Sequence, residues 1–120
     1  MASILIVDDS KTSRKFLRTM LEEAGHTIVA EAVDGAEGVK KYMEYKPDIV
    51  TMDITMPVMD GIEAVTEIMQ KDSQARVIMV TAAGQRNNMV EALKKGAADF
   101  IQKPFESSVI LNTIEKVLEE

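Results

Sequence analysis

Short runs of consecutive apolar residues alternate along this chain with segments whose apolar residues recur every three or four positions. Ile4-Leu5-Ile6-Val7 is brief, rich in β-branched residues, and ends at two acids. Phe16, Leu17, Met20, Leu21 and Ala24 follow at helical spacing and stop at Gly25, a residue suited to the position just past a helix end. Thr27-Ile28-Val29-Ala30 predicts a second strand. Asp34-Gly35-Ala36-Glu37 has the spacing of a capping box, and Ala36, Val39 and Met43 predict the buried stripe of the helix that it opens. Pro47 interrupts the pattern before a third strand, Ile49-Val50-Thr51-Met52.

The second half repeats the scheme. A loop holding Pro57, Asp60 and Gly61 leads into a helix with Ile62, Val65 and Met69 on one face. Val77-Ile78-Met79-Val80 predicts strand four. Gly84-Gln85-Arg86-Asn87 then opens a helix whose stripe is read as Val90, Leu93 and Ala97, closing with cations and a glycine at Lys94-Lys95-Gly96. Phe100-Ile101 predicts strand five, ended by Lys103-Pro104. Ile110, Leu111, Ile114, Val117 and Leu118 make a last amphipathic helix. Five strands, each followed by a helix, predict an α/β fold with a parallel sheet covered on both faces, which also explains why the strand runs are apolar at nearly every position. No linker, repeat or low-complexity segment divides the chain, so residues 1–120 are expected to form one domain.

Composition narrows the function. A chain of 120 residues can bury roughly two-thirds of its unfolded surface without staples. The absence of cysteine excludes disulfides, thiol catalysis and thiolate metal sites. A net charge of -6 and a pI near 4.8 argue against direct nucleic-acid binding. Met1-Ala2-Ser3 does not open a signal peptide and no apolar stretch could span a bilayer, so the expectation is a cytoplasmic protein without membrane insertion.

The polar residues at the strand ends carry the chemistry. In open parallel sheets, ligands bind beyond the carboxyl ends of the strands. Strand one ends at Asp8-Asp9, strand three at Asp53, strand four at Thr81 and strand five at Lys103. Each has a plain structural alternative: the paired acids as helix caps, Asp53 as a turn residue, Thr81 as a loop hydroxyl, Lys103 as a solvated charge. Together they place acidic, hydroxyl and basic groups along one sheet edge. Clustered carboxylates repel unless a cation neutralises them, and an all-oxygen set suits Mg2+. His26, following Gly25, falls at the opposite edge, so an imidazole-preferring metal is not expected.

Ile6-Val7-Asp8-Asp9-Ser10, the run Met52 to Gly61, Val80-Thr81-Ala82 and Phe100-Ile101-Gln102-Lys103-Pro104-Phe105 resemble, in order and in spacing, the receiver domain of two-component response regulators. The resemblance covers essentially the whole chain. It implies a flavodoxin-like (βα)5 fold, doubly wound, with strand order 2-1-3-4-5. It implies that Asp53 accepts a phosphoryl group from a phosphohistidine on a sensor histidine kinase. Asp9, Asp53 and the backbone carbonyl of Thr55 would hold Mg2+, or Mn2+ in its place, with Asp8 acting largely through a metal-bound water. Lys103 would pair with Asp53 and then with the phosphoryl oxygens. Thr81 would bond the phosphoryl group and move toward it, and Phe100 would be the aromatic whose ring turns inward in the active state. The output surface would include Met89 and Phe100.

Such a protein is a switch rather than an enzyme acting on other molecules, catalysing only its own phosphorylation and dephosphorylation. Ala82-Ala83-Gly84-Gln85 with Met89-Val90-Glu91-Ala92 resembles the chemotaxis-type single-domain receivers, implying a monomer with a protein output target of the flagellar motor switch type. Thr55 and Ala83 occupy positions that tune acyl-phosphate lifetime in this family, and Phe100 lacks the hydroxyl of the tyrosine often found there. Three other readings compete. A receiver cut from a larger transcriptional regulator fits the same residues. An aspartyl-phosphate phosphatase would want an acid at position 55. A flavin mononucleotide module would want more than the 4% aromatic content found here.

Overall fold

The computed structural model describes residues 1–120. Its elements run β1 (Ser3–Val7), α1 (Lys11–Glu23), β2 (Thr27–Ala32), α2 (Gly35–Tyr45), β3 (Ile49–Met52), α3 (Gly61–Lys71), β4 (Val77–Thr81), α4 (Arg86–Lys94), β5 (Asp99–Gln102) and α5 (Ser107–Leu118). The five strands form one sheet in the order β2-β1-β3-β4-β5, every neighbouring pair parallel. This is the doubly wound α/β architecture and strand order that the sequence and its resemblance implied. No helix is long and apolar enough to cross a membrane.

Alternation along the strands divides the interior between two faces. Leu5, Val7, Val50, Met52, Val77 and Met79 point to one side, where α2, α3 and α4 cover them. Ile4, Ile6, Ile49, Ile78 and Val80 point to the other, against Leu17 and Leu21 of α1 and Ile110, Ile114 and Val117 of α5. Both faces are buried, so the strands cannot alternate apolar with polar. Thr51 is a polar residue inside this apolar layer: its Oγ1 is buried on the central strand with no hydrogen-bond partner. An unpaired buried hydroxyl is costly, and Val keeps the shape without the polar atom. Thr51→Val is therefore expected to stabilise the protein by about 1 kcal/mol, read as a higher urea midpoint; a lower midpoint would contradict this.

Two helices turn differently from the stripes read in the sequence. In α4 the buried residues are Met89 and Ala92, while Val90 and Leu93 are exposed; Ala97 is buried just past the helix. The small Ala92 side chain lets that side of the helix approach the core. In α2 the inward side is Gly35, Gly38, Val39 and Tyr42, and Met43 lies outside. Val7 Cγ atoms would stand 3.0 and 3.1 Å from a Cβ at Gly38, so the glycine lets α2 settle against β1. The Tyr42 hydroxyl reaches Asp72 Oδ2 at 2.8 Å, which satisfies the polar end of a buried ring. The capping box opens α2 as expected on its first half: Asp34 Oδ1 accepts from the Glu37 N–H at 2.8 Å. The Glu37 carboxylate accepts from Val33 instead of from the cap residue itself.

Candidate functional site

Strand register assembles the site. Val7 lies opposite Met52, so the residues that follow them, Asp8 and Asp53, emerge side by side. Thr81 lies opposite Gln102, which brings Lys103 to the same edge. One carboxylate oxygen each from Asp8, Asp9 and Asp53 lies within 4.8 Å of the others. His26 sits at the other end of β1 and β2, its Nδ1 accepting from the Ala2 N–H at 3.1 Å.

Local structure gives each acid its own setting. Helix α1 is capped by Ser10, whose hydroxyl accepts from the Ser13 N–H, so neither Asp8 nor Asp9 is spent as the cap. Asp8 is only 2% exposed. Its Oδ1 accepts from the Ser10 N–H at 2.8 Å, and its Oδ2 accepts from Lys103 Nζ at 3.2 Å. Asp9 is exposed. Asp53 is half-buried, and its Oδ1 accepts from the Ile54 N–H at 2.8 Å. Lys103 thus pairs with Asp8 and not with Asp53, a correction to the partner implied by resemblance. The more deeply buried carboxylate has less water to solvate its charge and competes better for the ammonium.

Burial pushes the Asp53 carboxyl up to about 6, with the negative charge of Asp8 as the next cause and that of Asp9 a smaller one; Lys103 and the Ile54 N–H pull it back. Because the folded value lies above the ordinary 3.8, the native state holds more protons than the unfolded chain between those pH values. The stabilising contribution of protonated Asp53 is complete below about 4 and is lost as pH rises through about 6. In full the shift corresponds to roughly 3 kcal/mol, which solvent screening of a half-exposed group reduces to about 1 kcal/mol. In chelator, Asp53→Asn is expected to be relatively more stable than the parent at pH 7 than at pH 4. An unchanged difference between the two proteins across that range would contradict the shift.

The loop from Asp53 to Asp60 is clamped at both ends. The Gly61 N–H donates to the Ile54 carbonyl at 2.7 Å, and the Gly35 N–H donates to the Met59 carbonyl at 2.9 Å. A Cβ at Gly61 would overlap the Asp53 carbonyl oxygen, and one at Gly35 would overlap the Met59 carbonyl oxygen. Within the loop the Met59 N–H donates to the Pro57 carbonyl at 2.7 Å, closing a tight turn around Val58. Val58 has φ 68° and is 83% exposed, a strained conformation for a β-branched residue. Thr55, in the same loop, is exposed.

The remaining predicted residues are split. Thr81 is buried at the end of β4, and its carbonyl accepts from the Lys103 N–H at 2.7 Å. Phe100 is 38% exposed on the edge strand β5. Met89 is only 5% exposed and packs in the core beneath α4, so it is not a surface contact in this conformation. The sequence reading missed Gly35 and Gly61 as steric elements, placing Gly35 only within a capping box and Gly61 only in a loop. It also missed Arg14, whose Nη1 donates to the Asp8 carbonyl at 2.8 Å. Its spacing from Asp8 offers no signal until the helix is built.

The donor set around Asp53 is all oxygen, with a surplus of negative charge that raises the central carboxyl. That suits a hard divalent cation. A carboxylate flanked by a cation and an ammonium is also equipped to attack phosphorus.

Known proteins resemble this chain over nearly its whole length. The Response regulator receiver domain family matches residues 4–115. Chemotaxis protein CheY of Listeria monocytogenes is 52% identical over 116 residues, covering 97% of this chain and 98% of that protein. Its namesake in Bacillus subtilis is 51% identical, covering 96% of each chain. Protein CcdB of Bacillus subtilis is 46% identical, covering 98% of each. Among solved structures, the CheX-CheY-BeF3-Mg+2 complex from Borrelia burgdorferi matches with TM-score 0.92 and 43% identity, covering 96% of this chain and 87% of that one. These similarities do not favour the phosphatase or flavin readings.

Proposed function

Because this chain belongs to the response regulator receiver family, we propose that Asp53 is the phosphoryl acceptor of a signalling switch that works in chemotaxis. Residues 1–120 act as one receiver domain, switched by phosphorylation. The observation that carries the assignment is the clustering of Asp8, Asp9 and Asp53 at the carboxyl edge of the sheet, with Lys103 held there by Asp8. Asp8, Asp9, Asp53 and the Thr55 carbonyl would hold Mg2+, or Mn2+ in its place. When bound, the cation neutralises charge on the carboxylates and on the transferred group.

The chain's own residues do the rest. An Asp53 oxygen attacks the phosphorus of a phosphohistidine on a sensor kinase. The P–N bond breaks, its electron pair leaves with the imidazole, and a P–O bond to the carboxylate forms. Lys103, resting against Asp8, is close enough to the edge to turn its ammonium to the new phosphoryl oxygens. The Thr81 hydroxyl, at the end of the neighbouring strand, donates to another. Movement of Thr81 frees space for the Phe100 ring, which lies outward here, and the face carrying Val90, Leu93 and Phe100 changes shape for a protein target. Water attack on the acyl phosphate resets the switch, at a rate tuned by Thr55 and Ala83. The protein acts on no substrate but itself and works in the cytoplasm as a monomer, with a flagellar-motor-type partner as its output target.

Incubation with acetyl phosphate and Mg2+ should add one phosphoryl group to the intact mass, and chelation of the cation should prevent it. Equal labelling with and without Mg2+ would contradict the cation site.

A further inference from the structure

Asp8 is tied at each of its polar atoms. Its N–H donates to the Ala32 carbonyl at 3.0 Å, Oδ1 accepts from the Ser10 N–H, and Oδ2 accepts from Lys103 Nζ. The fourth bond, from Arg14 Nη1 to the backbone carbonyl, belongs to neither the sheet nor the turn. Arg14 leaves the first turn of α1 and folds its guanidinium back over the β1–α1 junction. Its Nε donates to Glu31 Oε1 at 3.0 Å, on the neighbouring strand β2. Glu31 is itself anchored: Oε2 accepts from Arg18 Nη1 at 2.5 Å, and its carbonyl accepts from Lys41 Nζ at 2.6 Å. The rigid fork of Arg14 therefore spans a fixed carboxylate and the Asp8 carbonyl.

That carbonyl shares a peptide plane with the N–H and Cα of Asp9. Turning the plane would swing the Asp9 carboxylate away from Asp8 and Asp53. No hydrogen bond or ion pair within the protein holds the Asp9 side chain, so its backbone sets its place. We propose that Arg14, oriented by Glu31, is a positioning residue for the cation site, locking the Asp8–Asp9 peptide and with it the Asp9 carboxylate. This rests on the reading that Mg2+ binds at Asp8, Asp9 and Asp53. The competing role is purely structural: Arg14 and Glu31 pin α1 to β2 and affect stability alone.

Mg2+ titration calorimetry on the full chain separates the two. Partners that orient metal ligands typically change affinity by about tenfold or more when removed, and Arg14→Ala is expected to weaken Mg2+ binding by about that factor. Arg14→Lys, which can reach one partner but not both, should fold like the parent and fall between the two. Arg18→Ala, which removes one partner of Glu31 but leaves both Arg14 bonds in place, should stay within about twofold of the parent. Parent affinity in both Arg14 variants, even with lowered melting temperatures, would overturn the positioning role while leaving the cation site standing. No Mg2+ binding by the parent protein would overturn both. Weaker binding in Arg14→Ala with Arg18→Ala unchanged, at equal helix content, is the result the proposal requires.

Discussion

Gly61→Ala is expected to be the most damaging single methyl group that can be added to this protein. The new Cβ would overlap the Asp53 carbonyl oxygen, with the Asp53 carbonyl carbon and the Ile54 Cα each 2.9 Å away. All three obstacles are backbone, so no side chain can rotate aside. Either α3 moves outward, losing the 2.7 Å bond from the Gly61 N–H to the Ile54 carbonyl, or the Asp53–Ile54 peptide moves. Overpacking of this kind costs about 3 kcal/mol, and the better helix propensity of Ala returns less than about 1 kcal/mol at a helix start. The second consequence is chemical. Displacing the Asp53 backbone by a fraction of an ångström misplaces the attacking oxygen, and errors of that size can cost on the order of a hundredfold in rate. Urea unfolding and the rate of labelling by acetyl phosphate read the two effects separately. An alanine variant matching the parent in both would show that the close approach of α3 to Asp53 has no consequence.

Lys103→Ala should be nearly as disruptive in the cation-free protein. It would leave the buried Asp8 carboxylate with one hydrogen bond, from the Ser10 N–H, beside two other acids. Removing one partner of a buried pair commonly costs about 3–5 kcal/mol. Lys103 is half-buried and the site opens to water, so about 2 kcal/mol is expected here. Loss of the ammonium would also push the Asp53 carboxyl further up, since Lys103 is one of the groups that lower it. Millimolar Mg2+ should recover much of the lost stability, because a bound cation supplies the missing positive charge and favours the folded state by mass action. After phosphorylation the deficit should reappear as weaker coupling to the output target, by about 1–3 kcal/mol. A variant as stable as the parent in chelator would mean that the 3.2 Å contact to Asp8 carries no net energy.

These two residues also mark where the sequence was legible and where it was not. Ile4-Leu5-Ile6-Val7, Ile49-Val50-Thr51-Met52 and Val77-Ile78-Met79-Val80 stand out because both faces of a parallel sheet must be apolar, and the polar residues that follow them stand out because the runs end there. Lys103 was therefore visible as a strand-end cation. Its partner was not, since the choice between Asp8 and Asp53 depends on relative burial across 95 positions of sequence. Gly61 reads as a turn residue until the backbone it must clear is in place. Helix stripes were ambiguous wherever small and large apolar residues adjoin: Met89 and Ala92 turn inward where Val90 and Leu93 were favoured, and Tyr42 is buried where Met43 was. Strand order came from resemblance, because periodicity identifies strands without ordering them.

The central claim is that Asp53, among three clustered acids, is the one that becomes phosphorylated. Borohydride reduction of an aspartyl phosphate converts the side chain to that of homoserine and leaves a permanent mark on the residue that carried it. The protein should be labelled with acetyl phosphate and Mg2+, reduced, digested and read by peptide mass spectrometry. Homoserine at position 53, absent when Asp53→Asn is treated in the same way, is the predicted result. Homoserine at Asp8 or Asp9, or equal labelling of the Asn variant, would contradict the account.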